Sequence, residues 1–263
     1  MILITGATGF VGNKLLKSLE GSVAAPSLRN ATKEQIKQII EESNADVIIH
    51  TAAIADTGVC ENNPEASYHA NVLIPLYLAE SCQNRKLICF SSDQVYNGTL
   101  ENGPYLENME NPANVYGKHK LEMEQRVLDI LPSAVMLRAE WMYDMYSNKG
   151  NYFINLLNAK DSVSFSSSMY RGVTYLKEVA ENMEKVISLP GGIYNFGSET
   201  TDSMYEITKQ FISIIKKDID VLDCPPRHNL WMNCEKAKKY DIHFSNTLDG
   251  LVRCAKDNNI LNA

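Results

Sequence analysis

The sequence predicts an α/β protein built on a doubly wound parallel sheet, with a smaller mixed α/β lobe toward its C-terminus. Three observations predict it. Short apolar runs alternate five times with stretches of helical periodicity, no hairpin turn joins two of the runs, and a glycine motif follows the first run directly.

Ile2–Thr5 is a short β-branched strand ending at Gly6, and Phe10 to Leu19 carries Val11, Leu15, Leu16 and Leu19 at helical spacing. Ser22–Ala25 reads as a strand closed by Pro26, and Thr32 caps a helix with Ile36, Ile39 and Ile40 on its apolar face. Asp46–His50 is continuous in apolar character, as expected of a strand buried on both faces. Pro64 to Cys82 is helical in pattern, and Leu87–Phe90 is a strand running into Ser91, Ser92 and Asp93. Ala113 to Leu131 is a long helix ended by Pro132, followed by the strand Ala134–Arg138. Past Tyr143 the rhythm breaks in a polar stretch to Asn151 and a serine-rich one at 162–168. The expected division is a first domain over residues 1–143, with a segment returning near 171–197, and a second lobe from 144–170 and 198–263.

With 263 residues, 44% of them hydrophobic, the chain can hold one large core and an appendage. A net charge of −7 argues against nucleic acid as the main ligand. The six cysteines show no C-x-x-C pair and no zinc spacing, so they read as reduced thiols, and no metal site is expected. No secretory leader pattern opens the chain, and no apolar run reaches the ~18–20 residues that span a bilayer, so a cytoplasmic location without membrane partners is expected.

Gly6-Ala7-Thr8-Gly9-Phe10-Val11-Gly12 follows the first strand and opens the first helix. Glycines there permit a tight turn and close approach of backbone to a pyrophosphate, while the helix N-terminus offers free N–H groups and the positive end of its dipole. Gly6, Thr8, Gly9, Phe10, Val11 and Gly12 are thus candidate contacts to a dinucleotide, and the fold is of Rossmann type. An acid about 20 residues further on would bind the adenosine ribose of NAD. Residues 22–30 contain no carboxylate, and Arg29 is placed to meet a 2′-phosphate, which tilts the expected cofactor slightly from NAD(H) toward NADP(H).

Ser92 falls just past the fourth strand, at the carboxyl edge where doubly wound sheets bind ligands. Tyr116 and Lys120 stand at i and i+4, one turn apart on one helix face. An ammonium beside a phenol is expected to lower the phenol's pKa toward neutrality, and Ser92 would hold the same substrate oxygen. The three residues form a candidate set for proton transfer to or from a carbinol oxygen.

Together, Gly6–Gly12, His50-Thr51-Ala52-Ala53, Asn71, Ser91-Ser92-Asp93-Gln94-Val95-Tyr96 and Tyr116-x-x-x-Lys120 resemble the ordered motifs of the extended short-chain dehydrogenase/reductases. Within them the chain is most similar to the dTDP-4-dehydrorhamnose reductases. The likeness continues through residues 137–143, 151–153, 171–175 and 192–197 and through Pro226-Arg227-x-x-x-Leu230. It implies that Tyr116 protonates the 4-keto oxygen of a nucleotide-activated deoxysugar as hydride arrives from NAD(P)H, with Ser92 and Lys120 completing the catalytic set. Lys120 would also hold the nicotinamide ribose, with Ala52, Ala53 and Asn71 on the cofactor side. Trp141 would face the sugar, Arg171 the nucleotide diphosphate, and Asp93 and Asn151 would lie on the substrate side. A homodimer through the helices bearing Asn71 and Tyr116 is also implied.

Several positions depart from the family pattern. Asp93-Gln94 replaces the Asp-Glu pair of the related dehydratases, which removes the second acid needed for elimination. The loop Ile54–Gly58 is altered, Asp144 replaces an expected glycine, and Glu140 stands where a small residue is usual, where it is expected to be solvated by the second lobe. Two alternatives stay open: a non-catalytic cofactor-binding subunit like the beta subunit of methionine adenosyltransferase, and a nucleotide-sugar 4-epimerase. Met142, Met145 and Met169 read as gap-filling core, and Lys236–Lys239 as a solvated helix face.

Overall fold

The computed structural model describes residues 1–146, 151–225 and 228–261. Pro226 and Arg227, and residues 147–150 of the polar stretch, lie outside the described residues. The first half follows the expected rhythm: β1 (Ile2–Thr5), α1 (Phe10–Ser18), β2 (Ser22–Ala24), α2 (Lys33–Ser43) and β3 (Val47–His50). Thr32 caps α2 reciprocally with Gln35, each side chain accepting the other's backbone N–H.

The segment before the next strand departs from expectation. A short helix, α3 (Thr57–Asn62), precedes α4 (Pro64–Tyr68), a π-helical turn at His69–Leu73, and α5 (Ile74–Cys82). The single helix expected over 64–82 is interrupted because Pro75 has no N–H to continue the helical ladder. The wide turn ahead of it carries the buried Asn71.

Then come β4 (Lys86–Ser92), a 3₁₀ turn at Asp93–Tyr96, α6 (Val115–Ile130) and β5 (Val135–Ala139). β4 runs two residues beyond its apolar stretch because Ser91 and Ser92 pair with Arg138 and Ala139. The chain continues through β6 (Trp141–Tyr143), α7 (Tyr152–Asn158), β7 (Ser162–Phe165), β8 (Val173–Tyr175), α8 (Leu176–Ile187) and β9 (Gly192–Phe196). It closes with α9 (Met204–Ile214), β10 (Asp220–Asp223), α10 (Glu235–Lys238) and α11 (Thr247–Asp257).

The main sheet has six strands in the order β2-β1-β3-β4-β5-β9, all parallel. Alternate side chains serve opposite faces. Leu3, Ile48, Leu87 and Met136 pack with residues of α2, α5 and α6. Ile4, Ile49, Ile88 and Leu137 pack with residues of α1 and α8. Each such side chain contributes roughly 1.5–3 kcal/mol on burial. The chain reverses direction across the sheet between β1 and β3, so the crevice for a ligand opens beyond their carboxyl ends.

Two smaller parallel pairs, β6 with β8 and β7 with β10, lie outside this sheet. A separate cluster of Tyr143, Tyr152, Phe153, Phe211 and Leu251 packs around them, with Met145 and Met169 filling its margin and Met142 joining the sheet core. The Lys236–Lys239 cluster forms a solvated face as expected, with Lys236 and Lys239 exposed and Lys238 half-buried. Lys236 donates to the Ile193 carbonyl at 2.6 Å and Lys238 pairs with both Glu199 and Glu235, so these charges tie α10 to its neighbours. No helix among the described residues is long and apolar enough to cross a membrane.

Candidate active site

At the carboxyl end of β1, Gly6 has φ +72°, a left-handed conformation open to glycine, and a Cβ there would lie 2.7 Å from the Ala52 amide nitrogen. A Cβ on Gly12 would lie 2.3 Å from the Gly6 carbonyl oxygen, so α1 and the turn approach as closely as glycine allows. Gly9 caps α1 without a side chain, leaving the N–H groups of the first turn free of any side-chain acceptor. Thr8 and Gly9 are exposed, and Phe10 and Val11 half-buried, beside that turn. This uncapped helix end fits the pyrophosphate of a dinucleotide.

Across the crevice, Ala52 is half-buried and Ala53 exposed in the loop after β3. Asn71 holds that loop: its Oδ1 accepts the Ile54 N–H at 3.1 Å and its Nδ2 donates to the Ile54 carbonyl at 3.0 Å and to Ser67 Oγ at 3.1 Å. The side chain is fully buried and its amide is spent on the backbone that shapes the groove. Arg29 stands exposed on the loop after β2.

Ser92, Tyr116 and Lys120 are brought together by the start of α6. Asn114 caps the helix by accepting the Gly117 N–H at 2.7 Å, and its Nδ2 donates to Gln94 of the 3₁₀ turn at 2.9 Å. Gly117 lets the two elements touch, since a Cβ there would lie 2.4 Å from the Gln94 carbonyl oxygen. Tyr116 is therefore set beside Ser92. Burial raises the Tyr116 pKa, the Ser92 hydroxyl opposes that rise, and the nearby Asp93 adds to it.

The expected lowering of the phenol by Lys120 does not occur, because the ammonium is turned aside. Lys120 Nζ donates to the Phe90 carbonyl at 2.8 Å and lies 5.8 Å from the Tyr116 ring centroid. Burial brings Lys120 itself down to about 8. The phenol thus keeps its proton at neutral pH and is ready to donate it.

Asp93, Arg171 and Trp141 also converge. Arg171 Nη2 lies 2.6 Å from Asp93 Oδ2, and the guanidinium carbon sits 5.6 Å from the Trp141 ring centroid. Trp141 keeps 37% of its surface exposed, which leaves an aromatic face for a ligand. Asn151 does not join them. Its Oδ1 caps α7 through the Ile154 N–H at 3.0 Å and its Nδ2 donates to the Asp144 carbonyl at 2.8 Å. Asp144 in turn pairs with Lys14 of α1 at 2.8 Å. Glu140, expected in solvent, is 6% exposed, because the ends of β5, β8 and β9 close over it.

A buried polar group beneath the site escaped the sequence reading. Glu124, one turn after Lys120, takes the Ser91 hydroxyl at 2.5 Å and the Arg138 guanidinium at 2.7 Å. Arg138 also donates to the Tyr96 hydroxyl at 2.7 Å, which donates to Asn195 at 2.7 Å. The i+4 spacing of Glu124 from Lys120 was the available signal.

The family described as RmlD substrate binding domain matches residues 1–229. The dTDP-4-dehydrorhamnose reductase of Aggregatibacter actinomycetemcomitans is 30% identical over 223 residues, covering 78% of this chain and 76% of that protein. The methionine adenosyltransferase 2 subunit beta of Xenopus tropicalis is 32% identical over 235 residues, covering 78% and 69%. In fold, the chain matches a dTDP-4-dehydrorhamnose reductase from Clostridium acetobutylicum with a TM-score of 0.86 at 22% identity, over 98% of this chain and 99% of that one. It matches the dTDP-4-dehydrorhamnose reductase of Bacillus anthracis in complex with NADP with a TM-score of 0.85 at 22% identity, over 97% and 98%. Because the match begins at β1, takes in the glycine turn and the Ser92, Tyr116 and Lys120 set, and extends past Arg171, the chain belongs to the RmlD substrate binding domain family.

Proposed function

We propose that the protein is an NADPH-dependent reductase acting on the 4-keto group of a nucleotide-activated deoxysugar. The observation that carries this is the protonated, buried Tyr116 beside Ser92 and Lys120, at the strand end that faces the uncapped N-terminus of α1. Relatives named dTDP-4-dehydrorhamnose reductase support the substrate class, and a fold neighbour in complex with NADP supports the cofactor.

When bound, the cofactor supplies the hydride. The α1 N-terminus would take its pyrophosphate, Ala52 and Ala53 would line its groove, and Arg29 would meet a 2′-phosphate, with no carboxylate between residues 22 and 30 to oppose it. The Lys120 ammonium would hold ribose hydroxyls. Ser92 positions the substrate carbonyl by a hydrogen bond, and Tyr116 gives that oxygen its proton as the carbon is reduced. The tyrosinate left behind regains a proton from solvent. Trp141 offers a face to the sugar, and Arg171, partly neutralised by Asp93, would meet the nucleotide end. The same reading places the protein in the cytoplasm, as a homodimer through the helices that carry Asn71 and Tyr116.

The test is to mix the protein with NADPH or NADH and a dTDP-4-keto-6-deoxysugar and follow nicotinamide absorbance. Consumption dependent on the sugar, faster with NADPH, is expected, and no consumption with any nucleotide keto-sugar overturns the proposal. The 32% identity to a methionine adenosyltransferase subunit favours, second, a cofactor-binding regulatory role. That role predicts a bound partner enzyme whose behaviour is unchanged by Tyr116→Phe.

A further inference from the structure

Glu140 fills the one position between the end of β5 and the start of β6, behind the Trp141–Arg171 pair. Its Oε2 accepts the Thr174 hydroxyl at 3.0 Å. Oε1 is buried with no hydrogen-bond partner among the described residues. Two glycines make room for the group. A Cβ on Gly172 would lie 2.3 and 2.5 Å from the carboxyl oxygens, and one on Gly197 would lie 2.5 Å from Oε2.

These contacts have a positional effect. Trp141 follows Glu140 in the chain and Arg171 precedes Gly172, so the close approach of Gly172 to the Glu140 carboxyl brings together the two segments whose next side chains stack on one another. Thr174 adds a second tie within β8, which runs beside β6 with Trp141 opposite Val173.

The charges around the carboxyl support the same arrangement. Arg171 faces two acids and is paired with only one of them, Asp93 at 2.6 Å. Burial, and then the Asp93 charge, raise Glu140 well above the usual carboxylate range, against the opposing pull of Arg171. On the other side, burial holds Cys234 as a thiol, and the Glu199 and Glu107 charges add to this, while His228 lowers Asp93. A protonated Glu140 leaves the guanidinium to Asp93, whereas an ionised one would compete for it.

We propose that Glu140 is a positioning residue for nucleotide-sugar binding, a buried carboxyl that holds Arg171 over Trp141 without touching the ligand. The proposal rests on the reductase reading and is tested apart from it in a Trp231→Phe background, where Trp141 is the remaining indole. Glu140→Gln, which keeps the shape of a protonated acid, retains the wild-type acrylamide quenching of Trp141 and a KM for the keto-sugar within about threefold. Glu140→Ala raises the quenching and lifts that KM about tenfold or more, with kcat within about threefold and NADPH affinity unchanged. Thr174→Val, which removes the hydroxyl and opens no cavity, moves quenching and KM in the same direction by less, so the outcome does not hang on the alanine variant folding. A Glu140→Ala protein that only melts earlier, with KM and quenching unchanged, overturns the proposal. So does a Glu140→Gln protein as impaired as the alanine variant. If the wild type consumes no NADPH with the sugar, the reductase reading fails while the quenching measurement still decides the positioning role.

Discussion

Arg138 and Glu124 face each other with both side chains fully buried, Nη2 lying 2.7 Å from Oε2 and Nε reaching the two carboxylate oxygens at 3.0 and 3.2 Å. The pair joins β5 to α6 one turn beyond Lys120, and so fixes the helix that carries both Tyr116 and Lys120. Removing one partner strands a buried charge, whereas replacing both with apolar residues does not. Arg138→Met is expected to cost about 3–5 kcal/mol in urea unfolding, and the double variant Arg138→Met with Glu124→Met to recover a large part of that loss. A loss in the double variant equal to the sum of the two single losses would show that the two charges are not coupled.

The proposed roles of Tyr116 and Lys120 separate by experiment. Tyr116→Phe removes the proton donor and keeps the ring, so kcat is expected to fall by at least about 10²-fold while NADPH affinity and melting temperature stay near wild type. A matching loss of cofactor affinity would assign Tyr116 to binding instead.

Lys120 sets the alkaline limb of activity. Its pKa stands at about 8 in the folded protein against an ordinary 10.5, because burial disfavours the ammonium. The charge proposed to hold the ribose is therefore lost as pH rises through about 8. Tyr116, raised by burial, keeps its proton across that range and adds no limb of its own. kcat/KM is expected to fall above that pH in the wild type, and Lys120→Met to be slow with no such limb. Stability moves the other way. Between the two pKa values the unfolded chain holds a proton that the folded chain has released, so raising the pH relieves the cost of burying the ammonium. An activity profile flat to pH 10 would place the Lys120 pKa elsewhere.

The sheet was legible because strands buried on both faces read as continuous apolar runs, and β1, β3, β4 and β5 each show one. Ser92, Tyr116 and Lys120 were legible because a strand end and an i,i+4 pair are local patterns. What escaped was non-local or locally featureless. α3, Thr57 to Asn62, has no apolar period and is held by the Asp56 cap at its start and the buried Cys60 within it. Glu124 and Arg138 meet only once α6 lies on β5. That nearby backbone groups engage the amides of Asn71 and Asn151 shows only in the fold. Glu140 looked like a surface acid because nothing in its neighbours' identities reveals that Gly172 and Gly197 leave a space of its shape.

His50 carries the remaining pH prediction, and its sign follows from where its proton is held. It ends β3, buried beside β1, with Nδ1 2.7 Å from Thr5 Oγ1. Burial, helped by the Lys120 charge, pushes it down to about 3 from an ordinary 6.5. In the unfolded chain His50 takes up a proton as pH falls below its ordinary value, while the folded chain refuses it until about 3. The stability it contributes is thus complete above 6.5 and drains away as pH falls toward the folded value. At pH 5 the loss from this residue is about 2 kcal/mol, and it depends little on the folded pKa so long as that value lies well below 5. His50→Asn keeps a polar partner for Thr5 and cannot titrate, so it should be less stable than the wild type at pH 7 and lose about 2 kcal/mol less on going to pH 5. Urea unfolding of both proteins at the two pH values decides the matter. Parallel losses would mean that His50 is protonated in the folded state as readily as in water, and that the ring is not sealed between β1 and β4.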